Sequence, residues 1–320
     1  MRTISQCLVA AAAFALAAAC SDDGGGNPGG PDPVIAKTAT NSGDGQIAAV
    51  TEVLPQDLRV IVTLDGQPVE GEDITWAVAA NGGTVIPATA TTDADGIALG
   101  EWTFGTTSGL FTATATRAGA TGSPVSFSAT AQPGIPAGFE LLDGNNQSGD
   151  VGTPFGEPLK VEMFDQFNNP VPGETVNWNL ISGSAILSAP SSVTQANGNS
   201  SITATFGAAS GEIVIQAVPG NGLSAVNFNA TANPLPTEIT IQVQNNLFAP
   251  MVDTVAAGGS VTWNWVGTDH NVTPDAALPP ASDTHSAPFT YGPIVFAAPG
   301  TYNYHCTNHP PGMVGTIVVR

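Results

Sequence analysis

Imidazole and sulfur donors are scarce in this 320-residue chain, which holds 4 histidines, 4 methionines and 3 cysteines. They are also clustered. His270, His285, His305 and His309 all lie near the C-terminus, and the stretch 306–313 alone carries Cys306, His309 and Met313. His270 stands upstream, in Asp269-His270-Asn271-Val272-Thr273. Two imidazoles, a thiolate and a thioether suit a copper ion that alternates between Cu(I) and Cu(II), with the weak sulfur axial. Such an ion would also keep Cys306 deprotonated. The expected cofactor is one copper ion.

Donors this far apart in sequence meet only if regular elements carry them together. Alternating and β-branched runs predict strands at 239–243, 261–265, 294–296, 301–306 and 316–319. In the fourth of these, Tyr302, Tyr304 and Cys306 share one face while Asn303 and His305 share the other, because side chains alternate along a strand. The thiol then points toward the core. The turn 307–312 can fold His309 and Met313 back toward it, and His270 follows the strand 261–265. His305 is expected to project outward, and His285, in a polar loop at 279–288, to be solvated.

The run from Gly300 through Tyr302, Tyr304, Cys306, His309 and Met313 to Gly315 resembles the C-terminal ligand loop of the type 1 copper proteins, or cupredoxins, of the plastocyanin and amicyanin sort. His270-Asn271-Val272-Thr273 is similar to their upstream ligand segment. The resemblance implies a Greek-key β-sandwich over 235–320, with His270, Cys306 and His309 as strong ligands and Met313 as the axial one. It implies for Asn271 a hydrogen-bonding role beside the thiolate that pins the two loops together. Three residues separate His309 from Met313, a spacing that differs from both amicyanin and plastocyanin. The implied work is outer-sphere electron transfer, with the exposed edge of His309 as the exit. Copper nitrite reductases and multicopper oxidases need further histidines or His-x-His pairs that this sequence lacks. No enzymatic turnover is expected, and the implied partner is another redox protein.

Upstream of this unit the sequence repeats itself. The segment 58–62, the turn containing Pro68-Val69 and then Trp76 recur as 159–163, Pro170-Val171 and Trp178, and Phe127-Ser128-Ala129-Thr130-Ala131 recurs as Phe228-Asn229-Ala230-Thr231-Ala232. Short alternating strands separated by turns such as Asp95-Gly96 and Asn197-Gly198, in modules of roughly 100 residues, predict β-sandwiches. The pattern resembles the bacterial immunoglobulin-like modules of intimin and invasin, which implies a spacer or adhesive stalk. Asp93-Ala94-Asp95-Gly96 lacks the further oxygen ligands of an EF-hand loop and is expected to be a hairpin turn. The expected fold class is all-β: two immunoglobulin-like sandwiches at 37–132 and 133–234, then the cupredoxin sandwich. Short proline-containing joints predict a semi-rigid rod.

Composition and the N-terminus bound the setting. With 6 Lys+Arg against 26 Asp+Glu, the formal charge of -20 excludes phosphate-backbone binding, so no nucleic acid is expected. The apolar segment 7–19 after Arg2 is too short to span a bilayer and reads as a signal peptide of 19 residues. Leu16-Ala17-Ala18-Ala19-Cys20 is similar to a bacterial lipoprotein box, which implies lipidation of Cys20. The Gly/Pro/Asp-rich stretch 20–36 then forms a flexible tether. With Cys7 removed and Cys20 lipidated, Cys306 has no disulfide partner in the mature chain. The expected location is the bacterial cell envelope, with membrane contact only through the lipid, and the protein is taken as a monomer. The alternative expectation is a copper-handling protein or a cell-surface adhesion or structural protein.

Overall fold

The computed structural model describes residues 31–276, 280–309 and 312–320. Among these the protein is all-β, with strands and turns and no helix, and so no helix long and apolar enough to cross a membrane. Scarce Lys and Glu, the helix formers of ordinary surfaces, and frequent Thr, Val, Gly and Pro account for this. The expected signal segment and Cys20 lie outside the described residues. The chain divides into two compact units after Ala131, and the second takes in both the 133–234 and the 235–320 stretches.

In the first unit Val34–Lys37, Leu58–Leu64, Ile97–Thr103 and Thr84–Ile86 form one sheet. Gln46–Ala49, Val125–Gln132, Gly109–Thr116, Asp73–Val78 and Thr89–Thr91 form the other. The second unit repeats the plan, with Pro136–Asp143, Leu159–Asp165 and Asn199–Ile202 in one sheet and Gln147–Asp150, Val226–Asn233, Gly211–Pro219, Thr175–Ser182 and Ser191–Val193 in another. The duplication extends to single contacts. Trp76 meets Phe127 at 5.8 Å between ring centroids, and Trp178 meets Phe228 at 5.7 Å. The Thr92 hydroxyl accepts from Glu72 N at 2.9 Å, and that of Thr194 accepts from Glu174 N at the same distance.

The turn at Asn197-Gly198 depends on its glycine. Gly198 has φ +76°, and a Cβ there would lie 2.5 Å from the Met163 carbonyl oxygen. Gly198→Ala is therefore expected to cost about 2 kcal/mol, combining left-handed strain with a backbone clash. Gly173, with φ +84° and open space within 4 Å of where a Cβ would stand, isolates the strain alone. Urea unfolding of Gly198→Ala and Gly173→Ala should show the larger loss in the former; equal losses would exclude the clash.

The C-terminal sandwich of the second unit has mixed sheets. One orders Leu247–Ala249, Glu238–Gln244, Gly259–Trp265 and Phe289–Phe296; the other orders Val252–Val255, Val314–Val319, Gly300–His305 and Thr273–Pro274. Glu238–Gln244 runs parallel to Gly259–Trp265, and Val252–Val255 runs parallel to Val314–Val319. Leu247–Ala249, Val252–Val255 and Thr273–Pro274 were not expected from sequence, being too short for alternation to show. Phe289–Phe296 exceeds the expected 294–296, because Gly292-Pro293 interrupts the pattern and a register shift between Val261 and Trp263 absorbs the interruption. Trp263, Phe248, Phe296, Tyr304 and Ile317 are fully buried between the sheets. The Tyr304 ring lies over Gly315, where a Cβ would approach it to 2.2 Å. Burial pushes the Tyr304 phenol up to about 12, so it stays protonated.

Candidate metal centre

Strand pairing brings the two sequence-distant segments together. Gly300–His305 lies between Val314–Val319 and the two-residue strand Thr273–Pro274, with Thr273 opposite His305. Continuing that antiparallel register by one residue on each side sets Val272 level with Cys306, and a further step sets Asn271 level with Thr307. The side chains confirm the extension: Thr307 N donates to Asn271 Oδ1 at 2.9 Å, and Asn271 Nδ2 donates to Thr307 Oγ1 at 2.7 Å. His270 thereby reaches Cys306 from across the sheet.

The ligand loop closes on itself. Cys306 N donates to Met313 O at 3.0 Å, His309 N to Cys306 O at 3.3 Å, and Met313 N to His309 O at 3.3 Å. The Nδ1 atoms of His270 and His309 lie 3.9 Å and 3.7 Å from Cys306 Sγ. The ligating atoms of all three residues fall within 4.8 Å of one another. His270, Cys306 and Met313 are 1%, 0% and 1% exposed, whereas His309 is half-buried. Met313 belongs to the same apolar cluster as Cys306, Val272 and Tyr304.

This spacing fits a bound metal. With metal–nitrogen and metal–sulfur distances of about 2.0 Å and about 2.3 Å, as at zinc, a trigonal arrangement separates sulfur from nitrogen by about 3.8 Å. Electrostatics agree. Burial lowers the His270 pKa, the neighbouring His309 lowers it further and Asp269 opposes, so the imidazole is held neutral with its lone pair available. Its Nε2 is buried without a hydrogen-bond partner, while Nδ1 faces the sulfur. Asn271 N donates to Cys306 Sγ at 3.4 Å, so the sulfur has a main-chain partner on the side of the upstream segment.

The remaining two histidines differ. His305 turns away from the cluster and pairs with Asp275, Nδ1 to Oδ1 at 2.6 Å, as strand alternation predicts. His285 is not a free surface group. It is half-buried, its ring stacks on Phe289 at 3.4 Å, and its backbone exchanges two hydrogen bonds with His270. Sequence polarity around His285 gave no sign of this, because the pairing is made by main-chain atoms.

Residues 157–233 match the family model for the bacterial Ig-like domain (group 1). Among solved structures the chain is similar to the adhesin FdeC of Escherichia coli, at 15% identity and a TM-score of 0.46 over 90% of this chain and 96% of that chain. A shorter part is similar to the purple cupredoxin from Nitrosopumilus maritimus, at 22% identity and a TM-score of 0.23 over 25% of this chain and 98% of that chain. A mutant fern plastocyanin is similar at 28% identity and a TM-score of 0.22, over 26% of this chain and 100% of that chain. No curated protein matches the chain.

Proposed function

We propose that this chain carries one electron at a time through a single copper ion held by His270, Cys306 and His309, with Met313 as a weak fourth donor. The convergence of one ring nitrogen from each of two imidazoles and one buried thiol within 4.8 Å carries this reading. Copper supplies a one-electron couple when bound to such a donor set. The protein's part is to keep the donors fixed and dry. Burial of His270, Cys306 and Met313 excludes water, and the Asn271 N–H offsets charge on the sulfur. All the donors come from protein, which leaves substrate chemistry without a place and favours outer-sphere transfer over catalysis. The half-buried His309 is the group nearest solvent and the proposed route for the electron.

The two upstream sandwiches then act as a spacer, and the N-terminal segment as an export signal ending at a lipidated Cys20 in the cell envelope. The net charge of -20 favours a basic redox protein as partner. The match of 157–233 to a bacterial Ig-like domain also supports a second reading, a surface structural or adhesive role in which copper is only stored.

Stopped-flow mixing of the reduced, copper-loaded full chain with a small basic oxidised redox protein separates the two. Electron transfer predicts second-order exchange whose rate falls as ionic strength rises, since screening weakens steering. Copper bound without exchange would overturn the electron-transfer reading in favour of storage.

A further inference from the structure

His270 is held from behind by groups that are not part of the donor set. Its N–H donates to His285 O at 3.0 Å, and its carbonyl accepts from His285 N at 2.8 Å and from Trp265 Nε1 at 2.9 Å. Asp269, next to it, sits in the left-handed region at φ +61°. A non-glycine residue persists there only when its surroundings over-determine it. They do so here: Asp269 N donates to Ser286 Oγ at 3.0 Å, and Asp269 O accepts from Asn308 Nδ2 at 2.7 Å. Every main-chain polar group of residues 269 and 270 is thus engaged.

The segment 282–287 is the source of most of these bonds. Beyond His285 and Ser286, Ser282 N donates to Val272 O and Ser282 Oγ accepts from Val272 N, both at 2.9 Å, and Ala287 N donates to Gly267 O at 2.9 Å. The strap therefore runs along the whole loop 267–272. Stacking of His285 on Phe289, and the edge contact of Trp265 with Phe289 at 5.1 Å, anchor it to the core. Asn308, between Cys306 and His309 in sequence, ties the other ligand loop to the same point and lies 3.4 Å from Thr284 Oγ1 in the strap.

We infer that the Trp265 indole, the strap 282–287 and the Asn308 carboxamide form a clamp that fixes the main chain at His270 before any metal binds, making Trp265 and Asn308 positioning residues of the centre. None of these groups need touch the metal. Their effect is to prevent the His270 ring from following the ion toward another geometry, so the site favours whichever oxidation state suits its fixed donors. The spectroscopic consequence rests on the copper reading; the rigidity of the metal-free loop does not.

The test uses the full chain carrying Trp265→Phe, which removes one donor and keeps the aromatic packing, and separately Asn308→Ala at the surface. In the metal-free chains, amide exchange at His270 and His285 is expected to accelerate about tenfold, as for loss of one hydrogen bond, while exchange in Val314–Val319, in the other sheet, is unchanged. In the Cu(II)-loaded chains the copper hyperfine splitting should widen and affinity fall about 10-fold to 100-fold. Faster exchange with an unaltered spectrum and affinity overturns the positioning role, as does unaltered exchange in both variants. A parent chain without a thiolate-to-copper band sinks the copper reading alone. The clamp is then judged by exchange only, where acceleration supports it and no change rejects it.

Discussion

Cys306→Ser in the Cu(II)-loaded chain is expected to abolish the intense visible thiolate-to-copper absorption and the narrow hyperfine splitting of the parent. Both properties arise from covalent overlap between copper and a thiolate sulfur, which a hydroxyl oxygen cannot supply. The substitution is close to isosteric at a fully buried position, so the metal-free fold should survive and far-UV circular dichroism should be unchanged. Met313→Leu makes the contrast: a weak axial donor tunes the site without creating the absorption, so the band should remain while the reduction potential moves. A colourless parent, or a Cys306→Ser chain that keeps the band, would remove copper from the reading.

The largest expected loss of stability is in the sandwich upstream. Asp165 is fully buried, and its carboxylate accepts from Gly134 N and Phe167 N at 2.8 Å and from Asn169 N and Asn169 Nδ2 at 2.9 Å. One side chain thus holds both the turn after its own strand and the entry segment of the second unit. Asp165→Ala leaves these donors without their acceptor and is expected to cost about 3 kcal/mol at neutral pH. The pH dependence follows from the carboxyl's shift. Burial pulls its pKa upward, but the donors from Asn169, Gly134 and Phe167 outweigh burial and set it below the ordinary 3.8. The folded state therefore binds fewer protons than the unfolded one. The stabilisation is complete above the unfolded value and is lost as pH falls through the lower folded value. Urea unfolding of parent and variant should differ most near neutrality and converge toward pH 2; a difference that stays constant with pH would mean that the carboxylate charge contributes nothing.

Much of the fold was legible because burial in a sandwich leaves a period-2 trace. Leu58, Val60 and Val62 alternate with partly exposed residues, and Leu159, Val161 and Met163 do the same in the second copy. The repeated Trp and Phe positions read as one module used twice, and their matching ring contacts have the same origin. Strands of two to four residues, such as Thr273–Pro274, left no such trace. That one is nonetheless what sets His270 against Cys306.

For the centre, sequence alone determined the chemistry on offer: one thiol, two imidazoles and a thioether in two short segments, with Cys306 on the inward face of its strand and His305 on the outward face. It also determined the all-β architecture, since Lys and Glu are few, Gly, Pro and Thr are frequent, and the alternating runs have the period of strands rather than of helices. Only the tertiary structure decided that His270 and His309 approach the same sulfur at 3.9 Å and 3.7 Å. It alone decided that His285, which reads as a solvated loop residue, is paired through its backbone with a candidate ligand. The physical reason is the same in both cases. Side-chain polarity and spacing record which groups are available, but main-chain hydrogen bonds across a sheet or strap are made by atoms common to every residue type, so their partners are settled only when the chain folds.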